Sequence, residues 1–178
     1  MKFRFNVNMT PEDYFELNRI VMFEMPAGKK IINTTRIIFA AFCAVAVLFL
    51  LSYFDFSTAG VVAAILFLII TVLIQFLTKP LFNMILKSNV KSIAKMKGKP
   101  PYTEHSVIEF YDDIFVETSE DNKTEMKYSA IENVFVNDKL VAIFINKMQA
   151  YILPVASFES KEQMISLMRF ISEKRHGV

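Results

Sequence analysis

The chain has 178 residues, and 53% of them are hydrophobic. This share is high for a water-soluble protein, and the length allows one or two small domains. The single cysteine, Cys43, excludes an internal disulfide. The net charge of +2 is unevenly distributed, because residues 79–99 carry six lysines and no acid while residues 101–178 carry thirteen acidic against eight basic side chains. A basic segment beside an apolar run is typical of a protein at a membrane surface.

The N-terminal segment, residues 1–36, contains two predicted elements. Residues 2–8 alternate apolar and polar side chains, which predicts a strand. Thr10 followed by Pro11 predicts a capped helix start, and this helix should end near Phe23 or Glu24. The strand either joins the edge of a sheet formed by the C-terminal residues or lies along the membrane.

The apolar run over residues 37–77 is too long for one membrane crossing. Roughly 40 residues of helix would span about 60 Å, twice the ~30 Å hydrocarbon core. We therefore expect two transmembrane helices, 37–54 and 59–77, joined by a short outer loop at 55–58 that contains Asp55. The alternative is a buried helical hairpin of a soluble protein, but neither run has the polar stripe that such a helix normally shows.

Basic residues predict the orientation of this hairpin. Lys29, Lys30 and Arg36 precede the first crossing, six lysines follow the second, and the loop has none. The positive-inside rule then places both termini in the cytoplasm, with the protein in the plasma (inner) membrane as a multi-pass protein. The first crossing begins too far from Met1 for a usual signal peptide, so we expect it to remain as an anchor.

Two pairs of small residues are candidate positions for helix packing. Ala40 and Ala44 lie four residues apart, as do Gly60 and Ala64. In an antiparallel hairpin the two pairs lie near opposite membrane surfaces and cannot face each other. Either each pair accepts bulky side chains from the neighbouring helix, or one of the pairs packs against a second copy of the chain. Gln75 is expected to reach the cytoplasmic interface rather than to bond across helices. The predicted crossings hold no Asp, Glu, Lys, Arg or His, which argues against an ion pathway and a transporter subunit.

Residues 79–101 predict a basic amphipathic connector that starts at an interruption by Pro80. Lys87, Lys91 and Lys95 recur every four residues on one face and are candidate contacts for lipid headgroups. Each contributes about 1 kcal/mol near an anionic leaflet. The alternative is that these lysines only determine topology. Nucleic acid is an unsuitable partner because the basic patch is held at the membrane and carries no aromatic residue for base stacking.

Residues 102–178 predict an antiparallel sheet domain closed by a C-terminal helix. The helix should begin after Ser157 or Ser160 and end near Lys174. Its apolar residues are expected to form one broad face, which comprises Met164, Ile165, Leu167, Met168 and Ile171. The predicted strands are Ser106–Phe110, Ile114–Thr118, Lys123–Tyr128, Ile131–Val136, Lys139–Asn146 and Gln149–Leu153. The expected fold is therefore an α+β membrane protein with a two-helix hairpin and a cytoplasmic β-sheet domain.

Three stretches give the chain a resemblance to a known family. The opening FRFNVNMTPEDYFELN, the two adjacent crossings and the tail segments YSAIENVFVNDKLVAIF and YILPVASF resemble the YcxB-like membrane proteins. The tail also resembles bacterial pleckstrin-homology-type (PH-like) domains, in which a strand meander is closed by a C-terminal helix. The resemblance implies a cytoplasmic domain on a membrane hairpin, and it implies no established activity and no catalytic residues.

Motifs for catalysis are missing from the sequence, so we expect no enzyme, no cofactor and no metal. Asp112 and Asp113, together with Glu120 and Asp121, could hold a divalent ion weakly, but they are more simply interpreted as turn residues. We expect a membrane-anchored interaction or adaptor module that docks a protein partner or its own copy. The alternative is a lipid-sensing or membrane-remodelling protein that uses the basic connector, since the acidic C-terminal domain should repel anionic headgroups.

Overall fold

The computed structural model describes residues 1–54, 57–97, 100, 102–147 and 149–176, with the side chains of residues 93, 94, 96, 97 and 176 excepted. The chain forms two compact units. The first, here called the strand unit, comprises Met1–Val21 and Ser88–Val178. The second, here called the hairpin unit, comprises Met22–Lys87.

Over the described residues the chain contains four α-helices and seven strands. The helices are α1 (Pro11–Phe23), α2 (Pro26–Tyr53), α3 (Thr58–Lys97) and α4 (Lys161–His176). The strands are β1 (Phe3–Asn8), β2 (His105–Phe110), β3 (Ile114–Ser119), β4 (Lys123–Lys127), β5 (Asn133–Val136), β6 (Leu140–Phe144) and β7 (Ala150–Pro154). The predicted α+β fold, with two long apolar helices followed by antiparallel sheets and a C-terminal helix, is confirmed.

The strands form two antiparallel sheets, one of four strands in the order β1-β2-β3-β4 and one of three in the order β5-β6-β7. The N-terminal strand belongs to the larger sheet, where Phe3 lies opposite Phe110 and Asn8 opposite His105. Its alternating sequence directs Phe5 and Val7 into the core and the polar residues between them outward. Of the two alternatives left open by the sequence, the edge strand is therefore the observed one.

A single hydrophobic core joins the two sheets and α4. It contains Phe110 and Phe115 from the larger sheet, Leu153 from the smaller one, and Leu167 and Ile171 from α4. These side chains are buried together, so the two sheets and α4 share one apolar core.

The C-terminal helix departs from its predicted broad apolar face at one residue. Ile165 is 56% exposed, so it does not belong to the buried part of that face. Its position on the helix lies outside the narrower arc that Leu167 and Ile171 present to the sheets. The N-terminus of α4 is capped by Ser160, whose hydroxyl accepts the amide hydrogen of Gln163 at 3.2 Å.

Helix α1 is fixed to the turn between β5 and β6 by a buried carboxylate. Glu16 is 1% exposed, and it accepts hydrogen bonds from Arg19 at 2.6 Å and from the amide of Asn137 at 2.9 Å. Lys139 adds a longer ion pair at 3.7 Å. A buried charge is tolerated only when it is paired and hydrogen-bonded, and this arrangement meets both conditions.

The hairpin unit contains two helices that are long and apolar enough to span a membrane. Helix α2 begins at Pro26, well before the predicted start of the first crossing at Ile37. Helix α3 continues through Pro80 to Lys97, so the expected interruption at Pro80 is wrong. Proline removes one amide donor from a helix. Helix α3 nevertheless continues on both sides of Pro80 without a break.

The turn between these helices is described only in part, because Asp55 and Phe56 lie outside the described residues. The amide of Ser57 donates to the carbonyl of Phe54 at 2.9 Å. A Cβ atom added at Gly60 would lie 2.7 Å from the Cβ of Phe54, so glycine permits this close approach.

Candidate functional site

The two sheets of the strand unit have four outer strands among the described residues, and each is hydrogen-bonded to one neighbouring strand. Two of them, β1 and β7, contact each other, one from each sheet. The remaining outer strands are β4 and β5. An open edge exposes unpaired backbone donors and acceptors, and proteins either protect such an edge or use it for binding.

Charged residues protect the β4 edge. Its sequence is KTEMK, and Lys123, Glu125 and Lys127 are exposed. Lys123 also forms an ion pair with Glu125 at 2.9 Å. The amide of Ser119 donates a hydrogen bond to the carbonyl of Asn122, so these two residues form a hydrogen-bonded pair. Hydrogen-bonded and non-hydrogen-bonded pairs alternate along an antiparallel ladder. The three charged residues therefore direct their backbone amides and carbonyls away from β3. Lysine at such positions disfavours the addition of another strand.

The β5 edge has the opposite character, because its sequence NVFV carries no charge. The amide of Asn137 donates to the carbonyl of Leu140 at 3.1 Å and closes the β5–β6 hairpin. Since hydrogen-bonded pairs alternate along an antiparallel ladder, Val134 and Val136 direct their backbone groups to the open side. Val136 is also 43% exposed. This edge is therefore apolar and available for pairing.

Side chains occupy part of the hydrogen-bonding capacity of the β5 edge. The side-chain oxygen of Asn133 accepts the amide hydrogen of Val134 at 2.9 Å. The guanidinium of Arg175 on α4 donates to the carbonyl of Glu132, just before β5. A backbone brought alongside can replace both of these bonds, so the edge is satisfied when free and can still accept a strand.

A groove lies between this edge and α4, and we call it the β5–α4 groove. Its volume is about 270 Å³. It is lined by Asn133, Val134, Val136, Met168, Ile171, Ser172 and Arg175. An extended chain paired with β5 would place alternate side chains toward this groove, where apolar and polar contacts are both present. The shape of the groove is suited to an extended peptide.

Sequence reasoning predicted the β5 strand but did not single out the residues of this groove. The usable signal was the uncharged stretch NVFV beside the charged strand KTEMK. Which strands lie at the edges depends on sheet order, and that order cannot be obtained from strand patterns alone.

The three lysines predicted to contact lipid all lie on α3. Lys87, Lys91 and Lys95 are exposed, and their four-residue spacing places them along one face of the continuous helix. Nothing in the described residues tests their contact with lipid, which remains a prediction.

The four small residues of the hairpin do not form one patch. Gly60 and Ala64 are buried within the hairpin unit, while Ala40 and Ala44 are exposed. Gly60 lies close to Phe54 of the same chain, and the packing role of the first pair remains a prediction. The second pair remains a candidate contact for lipid or a second copy.

One of the acidic residues considered for a metal ion, Asp112, has other contacts. Asp112 forms exposed ion pairs with Lys2 at 3.7 Å and with Lys174 at 3.9 Å. The described residues contain no group of three His, Cys, Asp or Glu side chains placed to hold a metal ion. Tyr111 and Ile114, which flank this turn, offer their carbonyls to the hydroxyl of Tyr128, whose pKa burial raises above its ordinary value.

These features define an α+β protein with a candidate membrane-spanning hairpin and an open sheet edge. The family model described as YcxB-like protein matches residues 110–171. The matched region runs from the last residue of β2 to Ile171 and so includes β5 and much of the β5–α4 groove. No curated protein and no solved structure matches the chain.

Proposed function

We propose that the protein is a membrane-anchored interaction module that docks a protein partner by strand addition at β5. The single observation that carries this proposal is the contrast between the two open edges, one apolar and beside a groove, the other charged. Main-chain hydrogen bonds would supply affinity, and the groove would supply specificity through alternate side chains. The resemblance to PH-like domains fits this role, because the strand unit has four and three strands closed by a C-terminal helix.

The proposed location is the plasma (inner) membrane, with two crossings and both termini in the cytoplasm. Large apolar side chains are exposed along both helices of the hairpin unit, including Ile37, Phe42, Leu48, Leu66 and Leu73. Contiguous apolar surface of this extent is covered by lipid or by another protein. The distribution of Lys and Arg around the hairpin supports the proposed orientation.

Charge favours a different protein over a second copy as the docked strand. In an antiparallel pair of two β5 strands centred on Phe135, Glu132 of one copy would lie opposite Asp138 of the other. Like charges directly opposite each other destabilise a pair of strands. A strand with apolar alternate residues and basic flanks complements the same edge.

Matched proline substitutions at the two open edges test this proposal. In Val136→Pro the lost amide faces the open side, so the β5–β6 bonds remain while strand addition is blocked. Glu125→Pro makes the same change at the charged β4 edge. A photoreactive residue placed at position 136 or 125 of the full-length protein in its native membrane reports the neighbour. We expect a cross-linked partner from position 136 alone.

Three results would decide against this docking site. One is a partner cross-linked equally from both positions, and another is a partner that co-purifies with Val136→Pro as well as with the wild type. The third is loss of the partner with Glu125→Pro alone. A cross-linked product made of two copies of this chain would assign the edge to self-association.

The second candidate function is lipid sensing through the exposed lysine stripe of α3. Its support is the exposure of Lys87, Lys91 and Lys95 on one helix face. Changing all three to Gln should weaken association with vesicles rich in phosphatidylglycerol, compared with phosphatidylcholine, if this function holds. If the variant associates with these vesicles and docks its partner as the wild type does, the three lysines only determine topology.

A further inference from the structure

A cavity within the hairpin unit combines apolar walls with one guanidinium group. It has a volume of about 260 Å³ and lies between α2 and α3. Its lining residues are Thr35, Arg36, Phe39, Ile74, Gln75, Thr78, Leu81, Phe82 and Ile85. Five of these nine side chains are aliphatic or aromatic, and Arg36 is the charged one. We call this cavity the Arg36 cavity.

Arg36 and Gln75 connect the two helices through reciprocal hydrogen bonds. The Nη2 atom of Arg36 donates to the backbone carbonyl of Gln75, and the side-chain amide of Gln75 donates to the carbonyl of Arg36, each at 3.3 Å. The expectation that Gln75 reaches the interface instead of bonding across helices is therefore wrong. This pair also places Arg36 level with a residue inside the predicted second crossing.

The guanidinium of Arg36 retains unused hydrogen-bonding capacity. Its buried Nε atom has no hydrogen-bond partner. The described residues of the hairpin unit include one acidic side chain, Glu24. It forms an ion pair with Lys29 at 3.5 Å and not with Arg36. A guanidinium has five donors and a permanent charge, so one bond to a carbonyl leaves most of its capacity unsatisfied.

Apolar residues lie on both sides of the Gln75 level along α3, with the exposed Lys79 between them. Before and beside Gln75, the exposed side chains include those of Val72, Leu73 and Phe76. Leu81 and Ile85 are exposed beyond it. A charged group with unmatched donors is costly where water is scarce, and an anionic oxygen ligand removes this cost.

We propose that the Arg36 cavity is a binding site for one anionic phospholipid, with the phosphate on the guanidinium and an acyl chain against Phe39 and Ile74. Arginine binds phosphate through paired N–H donors, which suits a lipid headgroup better than a single point charge does. The site rests on the proposed membrane insertion of the hairpin, and it is separate from the lysine stripe of α3.

The test measures lipid binding by the full-length protein in detergent, using native mass spectrometry and thermal stabilisation. The probes are phosphatidylglycerol, phosphatidylcholine and inorganic phosphate. The variants are Arg36→Gln, Arg36→Lys and, as a matched control on the same helix, Lys30→Gln, which removes an exposed charge. We expect Arg36→Gln to weaken phosphatidylglycerol binding at least tenfold and Arg36→Lys to retain part of it. Lys30→Gln should bind as the wild type does.

Several outcomes overturn the proposal. They are equal phosphatidylglycerol binding by wild type and Arg36→Gln, equal losses for Arg36→Gln and Lys30→Gln, and saturation by inorganic phosphate at the same concentrations as lipid. Arg36→Lys keeps the test interpretable if Arg36→Gln fails to fold, because full binding by a folded Arg36→Lys variant also contradicts a site built on paired donors. Resistance of the wild type to alkaline extraction from membranes separates failure of this site from failure of membrane insertion.

Discussion

The two units place the same residue types in opposite surroundings. Phe115 of the strand unit is 0% exposed, whereas Phe42 of the hairpin unit is 67% exposed. Leucine follows the same rule, since Leu153 is buried and Leu48 is exposed. The strand unit removes its apolar side chains from water by packing them together. The hairpin unit keeps most of them outward, which is favourable only where the surroundings are themselves apolar.

This contrast teaches that hydrophobic content alone does not locate a core. In the strand unit apolar residues alternate with polar ones, and the alternation selects one buried face. In the hairpin unit the apolar residues surround both helices, and only a few of them, such as Ile32 and Cys43, are buried, as are the small residues Gly60 and Ala64. Arg36 and Gln75 form hydrogen bonds between the two helices.

The largest expected effect comes from removing a phenylalanine from each unit. Phe115→Ala should destabilise the strand unit by about 3–5 kcal/mol, because it leaves a cavity in a packed core. Phe42→Ala should change the stability of the strand unit by less than about 0.5 kcal/mol. Urea denaturation of the full-length protein in micelles, followed by hydrogen exchange of β3, measures both. Equal losses of stability would break the comparison.

The next effect concerns the attachment of α1 to the β5–β6 turn. Glu16→Ala should cost about 2–3 kcal/mol, since it removes a buried carboxylate that accepts hydrogen bonds from Arg19 and Asn137. Glu12→Ala, an exposed change on the same helix, is the matched control and should cost less than about 1 kcal/mol. Hydrogen exchange in α1 reports the difference. Similar protection in both variants would show that the buried carboxylate does not hold the helix.

A smaller effect should appear at the β5 edge. Asn133→Ala removes the side-chain acceptor that competes for the amide of Val134. We expect cross-linking from position 136 to increase a few fold, because an incoming strand no longer displaces this bond. The stability of the strand unit should fall by about 1 kcal/mol or less. Weaker cross-linking from Asn133→Ala would mean that the asparagine contributes to docking instead of covering the edge.

The smallest effect is a pH dependence from Glu117. Burial raises the pKa of its carboxyl group above the ordinary value, and the hydroxyl of Ser106, which donates to it at 3.1 Å, partly opposes that shift. A raised pKa in the folded state means that stability is lost as the pH rises through that pKa. Glu117→Gln should therefore be more stable than the wild type at pH 7.

The same variant provides its own control at acidic pH. Below the unfolded pKa of a glutamate, about 4.3, the wild-type carboxyl is protonated in both states. The difference in melting temperature between Glu117→Gln and the wild type should then disappear. A gain that persists unchanged at low pH would indicate a packing effect rather than relief of a buried charge.

Much of the strand unit was predictable from local patterns. Alternation in residues 2–8 predicted β1, and the positions of the other strands agree with prediction to within a few residues. What could not be predicted was pairing, because it depends on residues far apart in the chain. The pairing of β1 with β2 brings together residues separated by about a hundred positions, and no local signal specifies it.

The candidate sites were predictable only in part, for a related reason. Lys87, Lys91 and Lys95 follow a helical period that the sequence shows directly. Arg36, Gln75 and the β5–α4 groove depend on which elements lie side by side. Pro80 shows the limit of a local rule, since an established helix continues through it.

The central claim is that the exposed apolar surface of the hairpin unit faces lipid while the exposed β5 edge faces water and a partner. Nitroxide labels at positions 42 and 136, each in a Cys43→Ala background and reconstituted in vesicles, test this claim directly. The account predicts that the label at 42 is reached by oxygen and shielded from a water-soluble nickel complex, with the reverse at 136. Two labels with the same accessibility to both reagents would contradict it.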